Sequence, residues 1–315
     1  MLSYNEKIRH IAKKILAEGK VEIVIGYRRG TLPMINEPCF IKHPEDVTRL
    51  IWDRHCGINL TNYLTQRKER IGIIAKGCDS RNIITHIIEN KIKREQLVVI
   101  GVPCKGMIDR HKIASQFEEE IQKVKEDGDK IVVTGGGIEK IWKLSDVLQE
   151  NCIICTHRNP VIYDELVAEP VAEQKDVNRY EDIRRIERLS PAEKAEFFDD
   201  LLASCIRCYA CRNVCPLCYC DTCFVDGSQP QWVGKSQDPT DIRTFHFLRA
   251  FHCAGRCTDC GSCERACPMG IKVRTLTKKL EKDCLELFNW EAGIDLEQRP
   301  PLTTYNPNDP DDTFR

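Results

Sequence analysis

One cysteine motif occurs twice in this chain and constrains its fold more than any other feature. Residues 205–216 read CIRCYACRNVCP and residues 257–268 read CTDCGSCERACP, so each copy spaces its cysteines two, two and three residues apart and ends in proline. Thiolates at this spacing surround a metal centre only if the loop is tight and small residues stand between them, as Ala210, Gly261 and Ser262 do. The second half of the chain is therefore expected to fold around bound metal.

The spacing also predicts how the thiolates are shared between two centres. In two-cluster ferredoxins of the bacterial type, three cysteines of one run bind one [4Fe-4S] cluster, and the cysteine before proline binds the other cluster. The first predicted cluster is therefore bound by Cys205, Cys208, Cys211 and Cys267. The second is bound by Cys257, Cys260, Cys263 and Cys215.

Two other metal-binding interpretations fit part of the pattern. A pair of four-cysteine zinc sites also uses two-residue spacing, but zinc sites seldom repeat four cysteines followed by proline. The CxxxCxxC spacing of radical-SAM enzymes occurs at Cys211, Cys215 and Cys218 and again at Cys253, Cys257 and Cys260. Those enzymes resemble β/α barrels, and the roughly one hundred residues after Cys215 are too few for the strands of a barrel.

Composition points to a reducing compartment and to protein partners. The chain has 19 cysteines, and its opening 20 residues are charged throughout, unlike a secretion signal. We therefore expect a cytoplasmic protein whose thiols bind metal rather than form disulfides. The 47 basic and 48 acidic side chains nearly cancel, which argues against nucleic-acid binding, and no apolar run is long enough to span a membrane.

The first 160 residues alternate short β-branched runs with amphipathic stretches. Strands are predicted at 21–27, 71–76, 96–102 and 130–134, and helices at 80–93, 114–127 and 138–148. The three glycines at 135–137 are interpreted as a plain turn, since they do not form a GxGxxG phosphate loop. This order predicts an α/β N-terminal domain with a small parallel or mixed sheet.

Four further cysteines lie where such a fold places functional groups. Cys78 and Cys104 each follow a predicted strand closely, so both should emerge at the carboxyl edge of the sheet. CIICTHRNP at 152–160 adds Cys152 and Cys155 with ligand-like spacing. Together these four cysteines predict a third cluster or a zinc site.

We predict three segments: an α/β domain at 1–175, an α+β two-cluster bacterial-type ferredoxin domain at 176–295, and an extended tail at 296–315. The sequence SPAEKAEFFDDLLA from Ser190 predicts a helix that leads into the cysteine-rich half. Cys218, Cys220, Cys223 and Cys253 remain outside the predicted clusters, and they either form a further metal site or are buried around the clusters.

The motifs GCDSRN, VPC, CIICTHRNP, CPLCYC and FHCAGRCTDCGSCERACPMGI follow one another in an order that resembles a known group. This group comprises the beta subunits of deazaflavin-dependent hydrogenases and formate dehydrogenases, with the related iron-sulfur subunits of sulfhydrogenases and anaerobic sulfite reductases. The resemblance covers most of the chain. It implies an additional [4Fe-4S] cluster at Cys78, Cys104, Cys152 and Cys155.

The resemblance also suggests two functions. One is an electron relay in a multi-subunit anaerobic redox complex, placed between a flavin protein, hydrogenase or formate dehydrogenase and a reductase similar to heterodisulfide reductase. The other is a catalytic subunit that holds FAD, as the deazaflavin-reducing members do, and exchanges hydride with a nicotinamide or deazaflavin. The relay beside a separate flavin protein suits this sequence better, because no clear flavin loop is visible.

Overall fold

A computed structural model describes residues 3–304 and Pro307 of the protein. The chain divides into two compact units. The first unit comprises the residues up to Ser80 together with Ile92–Val177. The second unit comprises Arg81–Lys91 together with the residues from Asn178 onward. The first unit contains β-sheets, whereas the described part of the second consists of helices and cysteine-rich turns.

The main sheet of the first unit has five strands in the order β2-β1-β3-β4-β8. Strand β2 pairs antiparallel with β1, and the other neighbours pair in parallel. All five residues of β3 are buried, as expected of a central parallel strand covered on both faces. The predicted mixed sheet is confirmed, with strands β1 Ile23–Arg29, β2 Asn36–Ile41, β3 Ile71–Ala75, β4 Leu97–Gly101 and β8 Glu165–Leu166.

Two longer helices accompany this sheet in the sequence. Helix α1, Tyr4–Ala17, begins at a capping box in which Ser3 and Glu6 satisfy each other's backbone N–H groups. Helix α2, Gly77–Ile88, follows β3 directly and agrees with the helix predicted near residue 80. Its first residues belong to the first unit and the rest to the second. Shorter helices of the first unit are α3 Arg110–Ala114 and α4 Glu150–Ile153.

A second, antiparallel sheet shows that two predicted helices are wrong. Residues predicted as helical within 114–127 and 138–148 form β5, Ile121–Asp127, and β7, Ile138–Lys143, on either side of β6, Lys130–Gly135. The run predicted at 130–134 is a strand, but it lies in this separate sheet. Pairing places Ile121 in an apolar cluster with Ile131 and Val133.

Short turns explain why these residues pair as strands. Only Gly128 and Asp129 separate β5 from β6, and only Gly136 and Gly137 separate β6 from β7. These three glycines have positive φ, and Gly-Gly is a strong signal for a two-residue hairpin loop. Gly136 and Gly137 thus form a turn, as predicted, whereas Gly135 ends β6, and the turn specifies a hairpin.

The second unit contains helices α5 Glu181–Glu187, α6 Pro191–Leu202, α7 Ala210–Asn213, α8 Pro239–His252, α9 Ser262–Arg265 and α10 Arg274–Phe288. Helix α6 begins at the Ser190 capping box with Pro191 in its first turn, as predicted. The predicted α+β fold is not confirmed, because the structure describes no strand from Asn178 to Thr304. An apolar cluster that includes Cys211 and Cys267 forms its core.

The predicted tail at 296–315 is described only in part. Residues 296–304 include a short 3-10 turn at Pro301–Thr303, and most of the remaining tail lies outside the described residues. Within the described chain, none of the helices combines the length and the apolar character that crossing a bilayer requires.

Candidate metal centres

Three of the four cysteines predicted as ligands in the first unit are electrostatic neighbours. The pKa of the Cys104 thiol is raised to about 12, mainly by burial and also by the nearby Cys152 and Cys155 thiols. Cys78 lies in the first turn of α2. Lys76 interacts electrostatically with both Cys78 and Cys104. The structure therefore gathers Cys104, Cys152 and Cys155, and it places Cys78 and Cys104 around one buried lysine.

Backbone N–H groups point at two of these sulfurs. The Gly106 N–H donates to Cys104 Sγ, and the Met107 N–H donates to Cys152 Sγ, both at 3.4 Å. Gly106 has a φ of +100°, which a residue with a side chain rarely adopts. Hydrogen bonds of this kind stabilise thiolates and help to set the reduction potential of a cluster that they bind.

The loop that carries Cys152 and Cys155 is held by side chains from residues 173 and 174. The Gln174 side-chain amide donates to the carbonyls of Cys152, Ile153 and Cys155 at 3.3, 2.9 and 3.0 Å. Glu173 accepts hydrogen bonds from the backbone N–H groups of residues 158 and 159. A β-carbon on Gly77 would collide with the carbonyl oxygen of His157. Position 77, the first residue of α2, therefore requires glycine because the loop passes too close for a side chain.

Lys76 is a charged residue of this site that the sequence analysis did not identify. It is 2% exposed, and its Nζ lies 2.8 Å from the Asp79 carboxylate and donates to the Tyr27 hydroxyl and the Ile58 carbonyl. Burial acts to lower the pKa of Lys76, but the Asp79 carboxylate holds it well above its ordinary value. A buried cation near Cys78 and Cys104 favours their thiolate forms. The sequence feature that could have identified Lys76 is its position directly after the buried strand β3.

In the second unit, both copies of the cysteine motif have the same backbone. Arg207 and Asp259, two residues after the first cysteine of each copy, have φ of 50° and 55°. Tyr209 and Gly261, next to the second cysteine, have φ of 58° and 72°. A short helix follows at the same point of each copy. The repeat that is visible in the sequence is therefore also a repeat of an unusual loop conformation.

The cysteines predicted for the first cluster lie together. Burial raises the pKa of the Cys205 thiol, and neighbouring Cys267 and Cys208 raise it further. Burial likewise raises the pKa of Cys211, with the same neighbours and Cys205 adding to the rise. Cys267 Sγ also accepts the Ile271 N–H at 3.4 Å. The structure thus places Cys267 of the second motif beside the three cysteines of the first.

The cysteines predicted for the second cluster line one cavity. Cys215 of the first motif borders it together with Cys257, Cys260 and Cys263 of the second. Burial raises the pKa of Cys257 and Cys263 well above the ordinary value. Enclosed thiols at such a cavity fit a buried thiolate-bound group, because metal binding replaces their protons.

Four of the cysteine turns share one hydrogen bond. The sulfur of the cysteine accepts the N–H two residues further on in the pairs Cys104 and Gly106, Cys205 and Arg207, Cys215 and Leu217, and Cys257 and Asp259. These N–H groups offset negative charge on sulfur, which is the role that backbone donors have around iron-sulfur clusters. The donor set thus fits thiolate-bound clusters at all three predicted sites.

Two cysteines outside the predicted ligand sets lie beside Cys215. The sulfurs of Cys215, Cys218 and Cys253 all lie within 4.8 Å of one another. The pKa of Cys215 is lowered well below its ordinary value, because the thiols of Cys218 and Cys253 hydrogen-bond to it. From the sequence, Cys218 and Cys253 could either form a further metal site or be buried around the clusters. The structure brings their sulfurs close together.

Comparison with known proteins gives relatives over almost the whole chain. The F420-dependent formate dehydrogenase subunit beta of Methanocaldococcus jannaschii is 25% identical over 352 aligned positions, covering 92% of each chain. The F420-dependent formate dehydrogenase 1 subunit beta of Methanococcus maripaludis is also 25% identical, covering 92% of this chain and 91% of that one. No protein-family model matches.

Among solved structures, a chain of the F420-reducing [NiFe] hydrogenase complex from Methanosarcina barkeri matches 48% of this chain and 58% of its own length, with 14% identity and a TM-score of 0.37. The two dehydrogenase relatives are named for coenzyme F420, which is a deazaflavin. Along nearly its whole length, the chain resembles the beta subunits of deazaflavin-dependent enzymes that its cysteine motifs predicted.

Proposed function

We propose that this chain is an iron-sulfur electron-transfer subunit of a cytoplasmic multi-subunit redox complex. It relays single electrons between a flavin protein, hydrogenase or formate dehydrogenase and a reductase of the heterodisulfide-reductase type. The proposal rests on one observation. Each copy of the cysteine motif has left-handed residues at the same two positions, and the last cysteine of each copy lies beside the first three cysteines of the other copy. That exchange is typical of two [4Fe-4S] clusters bound side by side.

The chain's own residues have a holding and tuning role in this proposal. The clusters supply reversible one-electron chemistry when bound. The twelve cysteines hold them, with Cys78, Cys104, Cys152 and Cys155 at a third [4Fe-4S] cluster. The N–H groups of residues 106, 207, 217 and 259 offset charge at the sulfurs. Lys76 adds a buried positive charge near two sulfurs of the first unit. This role requires no general acid or base.

Metal analysis of the chain purified without oxygen tests the proposal. Three clusters require about twelve iron and about twelve acid-labile sulfide per chain. The double variant Cys104→Ser, Cys152→Ser should reduce each number by about four. The matched control Cys39→Ser, at a buried cysteine of β2, should leave both numbers unchanged. A chain that holds zinc without sulfide would contradict the proposal.

The shared ligands have their own test. Cys215→Ala should remove the second cluster and leave the first, because Cys215 borders the cavity of Cys257, Cys260 and Cys263. Electron paramagnetic resonance of the reduced protein distinguishes the two clusters. Loss of the first cluster alone would show that the assignment of Cys215 is wrong.

A second candidate function is a catalytic subunit that holds FAD and exchanges hydride with a nicotinamide or deazaflavin. The names of the relatives favour it, and so does a cavity of about 620 Å³ in the first unit. Arg29, Lys123 and Lys125 bring three positive charges to this cavity against the two negative charges of Asp53 and Glu126, so its lining has a net positive charge that suits phosphate. Release of about one FAD per chain on denaturation would support this function. A flavin-free chain with intact clusters would support the relay.

A further inference from the structure

Four cysteines that the three proposed clusters do not use border one cavity in the second unit. Cys218, Cys220, Cys223 and Cys253 line a cavity of about 710 Å³. The first three occur within CYCDTC, and the fourth comes directly after helix α8. Four thiols around one space match the ligand number of a tetrahedral metal site.

The spacing of two of these four sulfurs favours a single ion. Cys218 Sγ and Cys253 Sγ lie within 4.8 Å of each other and of Cys215 Sγ, a predicted ligand of the second cluster. Thiolates bound to one tetrahedral ion with metal-sulfur bonds of about 2.3 Å lie about 3.8 Å apart. The thiolates of a [4Fe-4S] cluster bind different irons and therefore stand further from one another. Small adjustments would bring Cys218 and Cys253 onto one ion.

A buried arginine supplies an independent observation. Arg249 lines the same cavity, is 4% exposed, and has no hydrogen-bond partner at Nε. Its Nη2 donates to the Cys211 carbonyl at 2.9 Å. Arg212 and Arg256, which also line the cavity, pair with Asp226 and Glu89. Arg249 also borders the cavity of the second predicted cluster. Burying a guanidinium without a counter-charge is costly, and a tetrathiolate site with a divalent ion adds to the negative charge that the cluster thiolates supply.

The segment that carries three of these cysteines lacks regular structure. No helix or strand occurs between the end of α7 at Asn213 and the start of α8 at Pro239. An ordered segment of this length needs cross-links other than backbone ladders, and a structural metal ion provides them. A metal ion bound by Cys218, Cys220, Cys223 and Cys253 would join this segment to the end of α8.

We propose that Cys218, Cys220, Cys223 and Cys253 form a structural site for a single divalent thiophilic ion of the zinc or ferrous class. Each coordinating thiol releases its proton to solvent when the ion binds. The site goes beyond the proposed electron relay, because a single zinc ion transfers no electrons. It fixes the segment between α7 and α8 and adds negative charge beside Arg249.

The experiment uses the full chain purified without oxygen and equilibrated with Zn²⁺. The wild type should retain about one zinc per chain in addition to cluster iron. The double variant Cys218→Ser, Cys253→Ser should lose that zinc and keep its iron and sulfide. The control Cys284→Ser, at a buried cysteine in α10, should keep all three. Retention of zinc in the double variant would overturn the proposal, as would parallel losses of about four iron and four sulfide.

Alkylation of the wild-type chain gives a second test that does not depend on the folding of a variant. Mass spectrometry should find the four cysteines protected from iodoacetamide until a chelator removes zinc. The iron content should stay constant while they become reactive. Reaction of all four at full zinc occupancy would overturn the site. This outcome is separable from failure of the proposed relay, which iron and sulfide report.

Discussion

The two copies of the cysteine motif have the same backbone but different surroundings. In the first copy, the left-handed positions are Arg207 and Tyr209; in the second, they are Asp259 and Gly261. Arg207 donates to the carbonyls of residues 234 and 236 at 2.7 and 2.6 Å. Cys208 at the centre of the first copy is exposed, whereas its counterpart Cys260 is partly buried.

The second copy is stabilised by closer charge contacts, since Arg207 of the first copy lies 3.9 Å from the Asp241 carboxylate. Asp259 accepts two hydrogen bonds from Arg274, one of them at 2.7 Å, and Arg274 also contacts Glu264 at 3.2 Å. The comparison shows that one loop conformation can be fixed either by side chains bonded to nearby carbonyls or by a buried ion pair. Because solvent exposure helps to set cluster potentials, we expect the two proposed clusters to differ in potential.

The largest expected effect follows from breaking that ion pair. Arg274→Met should destabilise the second unit by about 3–5 kcal/mol, because it leaves Asp259 and Glu264 without their buried partner. Thermal unfolding followed by cluster absorbance without oxygen measures the effect. The control Arg212→Met removes the pair with Asp226, whose side chain is 48% exposed, and should cost less than about 1 kcal/mol. Equal shifts in the two variants would contradict the comparison.

A smaller effect is expected at the left-handed glycine. Gly261→Ala should cost about 1–2 kcal/mol, since φ here is 72° and an alanine side chain disfavours this conformation. Gly227→Ala is the matched control in the same unit, because its φ is ordinary and an added β-carbon meets nothing closer than 3.5 Å. Denaturant midpoints compare the variants. If both substitutions cost the same, the loop conformation is not what requires glycine at 261.

The smallest effect concerns pH. His86 Nε2 donates to the carbonyl of Pro216, the residue that ends the first motif, at 2.6 Å. Burial lowers the pKa of His86 to about 4. Its contribution to stability is therefore complete above about pH 6.5 and is lost as pH falls toward 4, which amounts to about 1.4 kcal/mol between pH 7.5 and 5.5.

His86→Gln can keep a donor to Pro216 but cannot titrate, so the variant should lose that part of the pH dependence. Denaturant unfolding of both proteins at pH 7.5 and 5.5 measures the difference. The exposed His10 provides the control variant, His10→Gln, which should behave as the wild type does. A variant that keeps the full pH dependence would show that His86 is not its source.

The sequence predicted the elements that local patterns specify. Runs of β-branched residues identified β1, β3 and β4, and Ser190 with Pro191 identified the start of α6. The helices predicted on either side of β6 are strands, because the two-residue turns at 128–129 and 136–137 pair them into hairpins. Charged residues at partly helical spacing gave the wrong period, and the glycine turns were the better signal.

The sequence by itself determined which thiols stand close together along the chain, because two-residue spacing leaves a tight loop little choice of conformation. Only the tertiary structure decided which distant groups join them. It brought Cys253 beside Cys218, buried Lys76 near Cys78 and Cys104, and paired Arg274 with Asp259. These contacts depend on how separate helices and loops pack, and no local pattern of residues encodes the distance between them.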